Sequence, residues 1–326
     1  MKKRVLSGMR PTGKLHLGHL VGALKNWAEL QNKYECLFMS ADWHALMSEY
    51  ERPYNLRENI YDNIVDWISC GIEPEKSVIF IQSEVKEHLE LFLILSCLTP
   101  LGWLERCPTY KEQLREIKGR DLNSYGFLGY PVLQAADILI YKAEKVPVGE
   151  DQLAHLELTR EIARRFNGLY KKNVFPEPEA ILTETPRLLG LDARKMSKSY
   201  NNTIDLSDNE EQIKKKISSM FTDPKRIRLN EPGHPDVCNV FSYFTAFAPE
   251  RKDDVREWCI NAKLGCTDCK KELAQVIIEV LAPIQVKRKE LAADKKKLRK
   301  ILDKGRDRAS EIASSTRKEI KDLIKI

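Results

Sequence analysis

The sequence contains no long apolar run, no internal repeat and no low-complexity tract apart from a lysine-rich stretch near Lys295. No segment approaches the roughly 20 apolar residues that a membrane-spanning helix needs. After Lys2-Lys3-Arg4, only two apolar residues precede Ser7, which is too few for the core of a signal peptide. These absences argue against a membrane-spanning or secreted protein, and we expect a cytoplasmic one.

The composition is that of a globular protein with room for two units. With 326 residues and 42% apolar content, the chain can bury a full α/β core and still carry a second, smaller domain. The net charge is only +6, but residues 286–326 hold fifteen Lys or Arg against seven Asp or Glu. A basic C-terminus suits a surface that faces nucleic acid, although a solvated, lysine-rich helix explains it equally well.

Strand-like and helical patterns alternate along the first part of the chain. The strand-like runs are 37–39, 78–81 and 146–148, and the helical patterns lie near 55–69, 85–98, 131–143 and 150–167. This alternation predicts a parallel sheet covered by helices, with ligands at the carboxyl ends of the strands. Beyond residue 205 the patterns are helical, at 208–220, 250–263, 270–293 and 295–323. We therefore predict a boundary between an α/β unit, 1–204, and a helical unit, 205–326.

One motif is HLGH, from His16 to His19, which follows the turn-forming residues Pro11, Thr12 and Gly13. A short apolar strand precedes it, and apolar residues recur at helical spacing after Gly18. The histidines are thus expected at a strand-to-helix turn, where free amides and the helix dipole favour phosphate. Taken alone, the motif would also describe two surface histidines near a helix start.

A second motif is KMSKS, from Lys195 to Ser199, which places two lysines and two hydroxyls within five residues. By itself it could be a solvated basic loop. Turn formers on both sides, however, are typical of a mobile anion clamp. A nucleoside triphosphate attacked at its α-phosphorus needs cationic donors on two sides. The two motifs together therefore indicate activation of a carboxylic acid with ATP.

A polar stripe marks a candidate substrate pocket on a helix that we expect to begin near Pro131. Tyr130, Gln134, Asp137 and Tyr141 share one face of an otherwise apolar segment. A carboxylate among Ala and Ile residues is costly without a partner, so Asp137 needs a donor. That donor is either a protein amide or hydroxyl, or an N–H or O–H of the substrate.

Four cysteines of the helical part form the pattern C-x20-C-x6-C-x2-C: Cys238, Cys259, Cys266 and Cys269. A cytoplasmic chain would not normally hold disulfides, so the pattern indicates a metal centre, either a 4Fe–4S cluster or structural zinc. Zinc folds usually show two close cysteine pairs, and only one is present here, which favours iron–sulfur. The remaining cysteines, Cys36, Cys70, Cys97 and Cys107, are scattered among apolar residues and are typical of core packing.

These motifs carry a resemblance that extends over nearly the whole chain. The opening SGMRPTGKLHLGHLVGAL, the GEDQ at 149–152 with HLELTREIARRFN after it, and KMSKS resemble a class I aminoacyl-tRNA synthetase, most closely a bacterial-type tryptophanyl-tRNA synthetase. The resemblance implies a Rossmann-type catalytic domain, a helical anticodon-binding domain and a symmetric dimer. It further implies ligation of tryptophan to its tRNA with Mg²⁺ and ATP. A subset of these enzymes carries a four-cysteine iron–sulfur motif near the anticodon site.

The resemblance also assigns roles to single residues. Lys111, Lys195 and Lys198 would act on the triphosphate, and Asp137 would accept the indole N–H. The implied ATP contacts are Arg10, Thr12, Gly13, His16, Gly18, His19, Gly149, Asp151, Met196 and Ser197, and the implied amino-acid contacts are Tyr130, Gln134, Asp137, His44 and Gln152. Simpler interpretations remain open for three of them: a solvated helix lysine for Lys111, a helix cap for Asp151 and a core histidine for His44.

Several residues depart from the family pattern. Gln134 stands where many bacterial tryptophanyl enzymes have methionine, and Tyr130, Gln134 and Asp137 also resemble the phenol-binding set of archaeal tyrosyl enzymes. His16 and His19 replace a Thr and an Asn, and Arg10 replaces a Gln, as in a divergent branch. The alternatives are a tyrosyl-tRNA synthetase, a non-catalytic RNA-binding paralogue, and an adenylate-forming ligase that uses no tRNA. Intact HLGH and KMSKS argue against the paralogue, and the basic helical C-terminus argues against the last.

Overall fold

The computed structural model describes residues 2–51, 53, 55–108, 111, 122–182 and 188–326. In these ranges, five parallel strands form one sheet with the spatial order β3-β2-β1-β4-β5. The strands are β1 (Arg4–Met9), β2 (Glu35–Ser40), β3 (Ser77–Ile81), β4 (Lys145–Val148) and β5 (Glu179–Leu182). The predicted α/β class is confirmed, although β5 did not stand out in the sequence.

The central strands are apolar on both faces because helices cover both sides of the sheet. Neighbouring residues of one strand enter different cores: Val5 packs with Trp27 and Phe38 on one side, and Leu6 packs with Leu37 and Leu139 on the other. The strands pair in parallel, with Leu6 opposite Leu37. A buried parallel sheet thus explains why these segments read as continuous apolar runs.

Helices connect the strands and then continue alone to the end of the chain. They are α1 (Leu17–His19), a π-helical turn (Leu20–Leu24), α2 (Lys25–Lys33), α3 (Asp42–Glu49), α4 (Leu56–Ser69), α5 (Glu87–Leu98), α6 (Leu101–Arg106), α7 (Tyr125–Ile140), α8 (Leu153–Tyr170), α9 (Glu210–Ser218), α10 (Asn239–Phe247), α11 (Lys252–Ile260), α12 (Cys266–Ala293) and α13 (Lys295–Ile324). Within the described ranges, none of these helices is long and apolar enough to span a membrane.

The predicted start of the pocket helix was wrong. Helix α7 begins at Tyr125, where the hydroxyl of Ser124 accepts a hydrogen bond from the Phe127 N–H at 3.2 Å. Pro131 therefore lies inside the helix, where it leaves the carbonyl four residues earlier without its usual donor. The serine cap, and not the proline, fixes the start of α7.

The C-terminal helices return to the sheet. Helix α13 packs along the edge strand β3 so closely that a Cβ on Gly305 would lie 1.8 Å from the carbonyl oxygen of Ile79. Arg299 of α13 makes hydrogen bonds of 2.7 and 3.1 Å to the carboxylate of Glu84. Arg288 of α12 donates to Asp66 of α4 at 2.7 Å. Arg288 and Arg299, which belong to the basic excess near the C-terminus, thus hold these helices against the α/β part of the chain.

Candidate active site

The segments that carry HLGH and KMSKS lie together, as the sequence predicted. The chain turns after β1 at Gly13, whose φ of +113° is a conformation that glycine readily adopts. Leu17 N–H donates to the Ile204 carbonyl, and Leu206 N–H donates to the Leu15 carbonyl, both at 2.9 Å. These bonds pair the residues just after KMSKS with the residues around His16, so both motifs face one site.

Two contacts bring the lysine loop onto the turn. The Lys198 ammonium lies 3.4 Å from the carbonyl oxygen of Thr12, and the buried Met196 packs so near Gly18 that a Cβ there would lie 3.2 Å from its sulfur. The Lys195 side chain is exposed. The loop therefore places one lysine at the turn and leaves the other in solvent.

Asn202 holds the lysine loop in shape, a role that the sequence did not reveal. Its side-chain oxygen accepts from Ser197 N–H at 2.8 Å, and its amide nitrogen donates to the Lys195 carbonyl at 3.1 Å and to Asp192 at 2.7 Å. The side chain is 3% exposed. An asparagine after a basic motif is typical of a turn. Its hydrogen-bond partners can therefore be identified only from the folded loop.

Charge at this site is arranged to receive an anion. Burial and the nearby Arg10 guanidinium lower the pKa of Lys198, while Asp205 and Asp66 oppose the shift. Burial, aided by the charge of Lys198, also lowers the pKa of His16 to about 4. His16 is thus an uncharged imidazole at neutral pH, and its buried Nδ1 has no hydrogen-bond partner in the described part of the chain.

His19 is also held uncharged. Burial is the main cause that keeps its pKa well below the usual value, and a positive charge on Lys198, or on His16 when protonated, acts in the same direction. Its Nδ1 accepts a hydrogen bond from His16 N–H at 3.2 Å, so the ring proton is on Nε2. The turn therefore offers neutral imidazoles beside a lysine and an arginine, which suits the binding of a polyphosphate.

A cavity of about 420 Å³ opens beside this turn. It lies at the carboxyl ends of β1 and β4, where the strand order reverses and where open α/β sheets bind ligands. Its volume is in the range typical of small-molecule sites. Five side chains proposed from the sequence as amino-acid contacts line it: His44, Tyr130, Gln134, Asp137 and Gln152.

Asp137 is buried in a network of protein donors. Its Oδ1 accepts from Gln82 Nε2 at 2.8 Å and from His88 Nδ1 at 2.6 Å, and its Oδ2 accepts from Gln82 Nε2 at 2.9 Å and from His44 Nε2 at 2.8 Å. Burial acts to raise the pKa of Asp137, but the hydrogen bonds from His44 and His88 hold it below its usual value. The protein groups that donate to Asp137 are thus one amide and two imidazoles.

The two hydroxyls of the stripe, those of Tyr130 and Tyr141, contact buried histidines. His88, which is fully buried, also contacts the Tyr141 hydroxyl through Nε2 at 2.7 Å. Tyr130 contacts His155 Nε2 at 2.7 Å. Sequence reasoning missed Gln82, His88 and His155, because isolated polar residues in apolar segments carry no motif.

The remaining proposed contacts lie around the mouth of the cavity. Gly149 lines it, and Asp151 follows in a 3₁₀ turn, where its carboxylate accepts from Gln152 Nε2 at 3.1 Å. Asp151 is not the N-cap of α8, because that position is held by Gln152. Lys111 is helical and exposed, and its neighbours Thr109 and Tyr110 lie outside the described residues.

The four cysteines of the helical part lie at helix ends in one neighbourhood. Cys238 precedes α10, Cys259 lies near the end of α11, and Cys266 opens α12. Burial, together with the charges of the other three cysteines, raises the pKa of Cys269 to about 12. All four are half-buried, and the Arg226 guanidinium lies 3.9 Å from the sulfur of Cys266.

This donor set fits a soft metal centre by its chemistry. Because burial and the charges of the neighbouring cysteines raise the pKa of Cys269, a cation would be needed to hold this thiol as a thiolate. In the described ranges, however, no three His, Cys, Asp or Glu side chains are grouped as the ligands of a single ion. The sulfurs are therefore gathered but not set in the geometry of a mononuclear site.

Comparisons of the sequence and of the fold with known proteins lead to a single family of enzymes. The model of the family "tRNA synthetases class I (W and Y)" matches residues 1–282. A tryptophan–tRNA ligase of Thermotoga maritima is 52% identical, with 98% of each chain covered, and one of Aquifex aeolicus is 43% identical, with 99% of this chain and all of the relative covered. The crystal structure of Campylobacter jejuni tryptophanyl-tRNA synthetase with ADP and tryptophan superimposes with a TM-score of 0.91 at 36% identity, over 99% of this chain and all of that one.

Proposed function

We infer that this chain, which belongs to the class I tRNA synthetases for tryptophan and tyrosine, is a tryptophan–tRNA ligase. It activates tryptophan with Mg-ATP to tryptophanyl-adenylate and transfers the tryptophanyl group to tRNA(Trp). The observation that supports this function most strongly is the meeting of Lys198 with the Thr12 carbonyl beside a cavity of amino-acid size. A triphosphate at the turn would then have its α-phosphorus close to a carboxylate held in the cavity.

The reaction has two steps. A carboxylate oxygen of tryptophan attacks the α-phosphorus, the bond to the β-phosphate oxygen breaks, and pyrophosphate leaves with Mg²⁺. A ribose hydroxyl of the tRNA terminus then attacks the carbonyl carbon and releases AMP. The chain supplies no nucleophile of its own, so its contribution is alignment and charge stabilisation.

The residues on the two sides of the site have different roles in alignment and charge stabilisation. Lys195, Lys198 and Lys111 stabilise the departing pyrophosphate, and Arg10 adds positive charge next to them. His16 and His19 act as neutral donors at the strand-to-helix turn. Backbone and small side chains complete the ATP site, at Thr12, Gly13, Gly18, Gly149, Met196 and Ser197. Asp151 contacts the ribose, and Gln152 contacts the amino acid.

We further propose that residues 205–326 bind the anticodon arm and that the protein works as a cytoplasmic homodimer. The C-terminal lysines on the exposed side of α13 supply positive charge for the RNA. A dimer is supported by exposed apolar side chains on three helices, which a second copy would cover: Leu89 and Leu93 on α5, Leu101 on α6 and Tyr125 on α7.

The four cysteines, we propose, hold a 4Fe–4S cluster in preference to zinc. Two features support this: the charges of the other three cysteines help to raise the pKa of Cys269, and the spacing of the four has only one close pair. Such a centre would stabilise the helix ends at which Cys238, Cys259, Cys266 and Cys269 lie. The four cysteines are far in sequence from both ATP motifs. We therefore propose that the cluster does not take part in the activation chemistry but stabilises the helical part that binds tRNA.

The decisive experiment is amino-acid-dependent ATP–pyrophosphate exchange with tryptophan, tyrosine and phenylalanine, followed by charging of tRNA(Trp). We expect exchange with tryptophan and little with tyrosine. A strong preference for tyrosine would establish the tyrosyl alternative. Absence of exchange with all three amino acids would favour the non-catalytic paralogue, and exchange without charging would favour a ligase that uses no tRNA.

A further inference from the structure

The turn formed by residues 205–208 follows the lysine loop in sequence and pairs with the HLGH segment. Asp205 forms an isolated antiparallel β-bridge with His16. The Leu206 N–H donates to the Leu15 carbonyl at 2.9 Å, and Leu206 is fully buried. The shape of this turn therefore helps to set the position of the residues around His16.

Asp208 closes the turn from within. Its N–H donates to the Asp205 carbonyl at 3.1 Å, and its carboxylate accepts from the Asp205 N–H at 2.8 Å. The same carboxylate accepts from the Lys216 ammonium at 2.6 Å. The charge of Asp205, in turn, acts against the lowering of the Lys198 pKa by burial. The turn thus lies close to the lysine that contacts the Thr12 carbonyl.

A single side chain of helix α12, Gln285, donates to two carbonyls of this turn. Its Nε2 lies 3.0 Å from the Leu206 oxygen and 2.8 Å from the Asp208 oxygen. An amide NH₂ group has two protons, so one proton is available for each carbonyl. Because a buried carbonyl without a donor is costly, loss of this amide should change the shape of the turn.

Arg288 anchors the same face of α12 to the α/β part of the chain. It lies three residues after Gln285, a spacing that puts both side chains on one side of a helix. Arg288 Nε donates to the Asp66 carboxylate of α4 at 2.7 Å, and the guanidinium also contacts Asp62. Asp66 is only 1% exposed, which makes this a buried contact. The position of Gln285 relative to the turn is therefore fixed by a second contact.

The amino-acid cavity lies apart from these contacts. Its lining, as far as the structure describes it, includes neither Gln285 nor the turn 205–208. A change at Gln285 should therefore act on the two ATP motifs and leave the amino-acid pocket intact.

We propose that Gln285 is a positioning residue for ATP: through the turn 205–208 it holds HLGH and the lysine loop in the arrangement that binds the triphosphate. This inference rests on the proposed function. Gln285 touches no reacting atom in this arrangement and acts only through the backbone of the turn. The helical part of the chain thereby contributes to activation of the amino acid.

The test is Gln285→Met, which removes the donor and keeps a side chain of similar size. Equilibrium binding of Mg-ATP and of tryptophan is measured separately, together with the KM for ATP in tryptophan-dependent pyrophosphate exchange. We expect the affinity for ATP to fall about 10-fold and the KM for ATP to rise accordingly. Tryptophan affinity should stay within about twofold of that of the unmodified protein.

Gln275→Met is the matched control, because it makes the same substitution in the same helix. Gln275 is exposed, and its amide donates to Glu279 of α12 at 2.8 Å. This variant should leave the affinities for ATP and tryptophan unchanged. Gln285→Glu should weaken ATP binding at least as much as Gln285→Met, since a carboxylate cannot donate to the two carbonyls.

Two results would overturn the proposal. Equal loss of ATP and tryptophan affinity would show a general distortion of the site. Unchanged ATP affinity with a lower urea midpoint would make Gln285 a residue of helix packing only. If Gln285→Met does not fold, Gln285→Asn replaces it with the same expectation, because its amide is one methylene too short to reach both carbonyls. If the unmodified protein shows no tryptophan-dependent exchange, the proposed function fails, and equilibrium binding of ATP still tests Gln285.

Discussion

The ammonium of Lys198 lies 3.4 Å from the carbonyl oxygen of Thr12, across 186 positions of sequence. The contact is held by the backbone pairing of Leu17 with Ile204, and by the packing of Met196 against Gly18. The Lys198 ammonium therefore lies at the turn that also carries two uncharged imidazoles, those of His16 and His19. The ATP site is thus built from two short motifs that meet only through the fold.

The first prediction concerns this contact. Lys198→Ala should lower the rate of tryptophan activation by a factor of about 100 to 1,000, because a donor to the developing charge is lost. Tryptophan affinity should change little, since the lysine lies at the turn and not in the cavity wall. Single-turnover formation of the adenylate and equilibrium binding of tryptophan separate the two effects.

Lys214→Ala is a matched control, since it removes an exposed lysine of α9 whose partner is Glu210 in the same helix. It should leave both quantities unchanged. If Lys198→Ala instead kept the maximal rate and lost amino-acid affinity, the lysine loop would help to shape the pocket and would not act as a clamp.

The second prediction follows from the low pKa of His16. This pKa is about 4 in the folded state against 6.5 in the unfolded chain, so the unfolded state binds more protons between these values. The contribution of the neutral ring is complete above pH 6.5 and is lost as the pH falls toward 4. It should amount to about 2 kcal/mol lost at pH 5 relative to pH 7.

Urea unfolding of the unmodified protein and of His16→Gln at pH 7 and pH 5 measures this contribution. The difference in unfolding free energy between the two proteins should shift by about 2 kcal/mol in favour of the variant at pH 5. Comparison with one variant removes the effect of other groups, such as Asp66, whose pKa is raised to about 7 mainly by burial. A difference that is independent of pH would show that His16 titrates normally.

The third prediction concerns the return of α13 to the sheet. Gly305→Ala would place a Cβ 1.8 Å from the Ile79 carbonyl, and neither backbone can yield without separating α13 from β3. We expect a loss of about 1 to 3 kcal/mol or more in unfolding free energy. Opening this edge should also promote aggregation, because β3 would present unpaired backbone groups.

Gly168→Ala is the matched control for this change. Gly168 lies in α8, and no described atom outside its own helical turn lies within 4 Å of the place that a methyl group would occupy there. Alanine at this position should therefore be neutral or stabilise the protein by up to about 1 kcal/mol. Denaturant midpoints and light scattering compare the two variants. Equal stability of both proteins would mean that α13 can move away from β3 at no cost.

Local patterns in the sequence predicted the parts of the fold that depend on local residues. Buried parallel strands read as apolar runs, and HLGH and KMSKS each carry their own turn signals. The partners of Asp137 were not predictable, because His88 and Gln82 lie 49 and 55 residues away and bear no motif. In the sequence, Gly305 indicates only a less stable helix. The close packing of this position against the Ile79 backbone explains why a residue without a side chain is needed there. The start of α7 was missed because Gly126 and Gly129 weaken the helical pattern before Pro131.

The last prediction concerns the four cysteines of the helical part. Protein purified without oxygen should be brown and contain about four irons per chain, because thiolate-bound 4Fe–4S clusters absorb visible light whereas zinc does not. Cys266→Ser or Cys269→Ser should remove the colour. Cys97→Ser, which changes an exposed cysteine of α5, should keep both colour and iron.

Loss of the centre should separate the two steps of the reaction. The cysteines lie at the ends of α10, α11 and α12, whereas the ATP motifs lie around Thr12 and Lys198, so tryptophan activation should persist in Cys269→Ser while charging of tRNA falls. Pyrophosphate exchange and tRNA charging on the same sample measure the two steps. Equal loss of both would indicate global unfolding. Colourless, metal-free protein with full charging activity would show that these cysteines serve only to pack the helix ends.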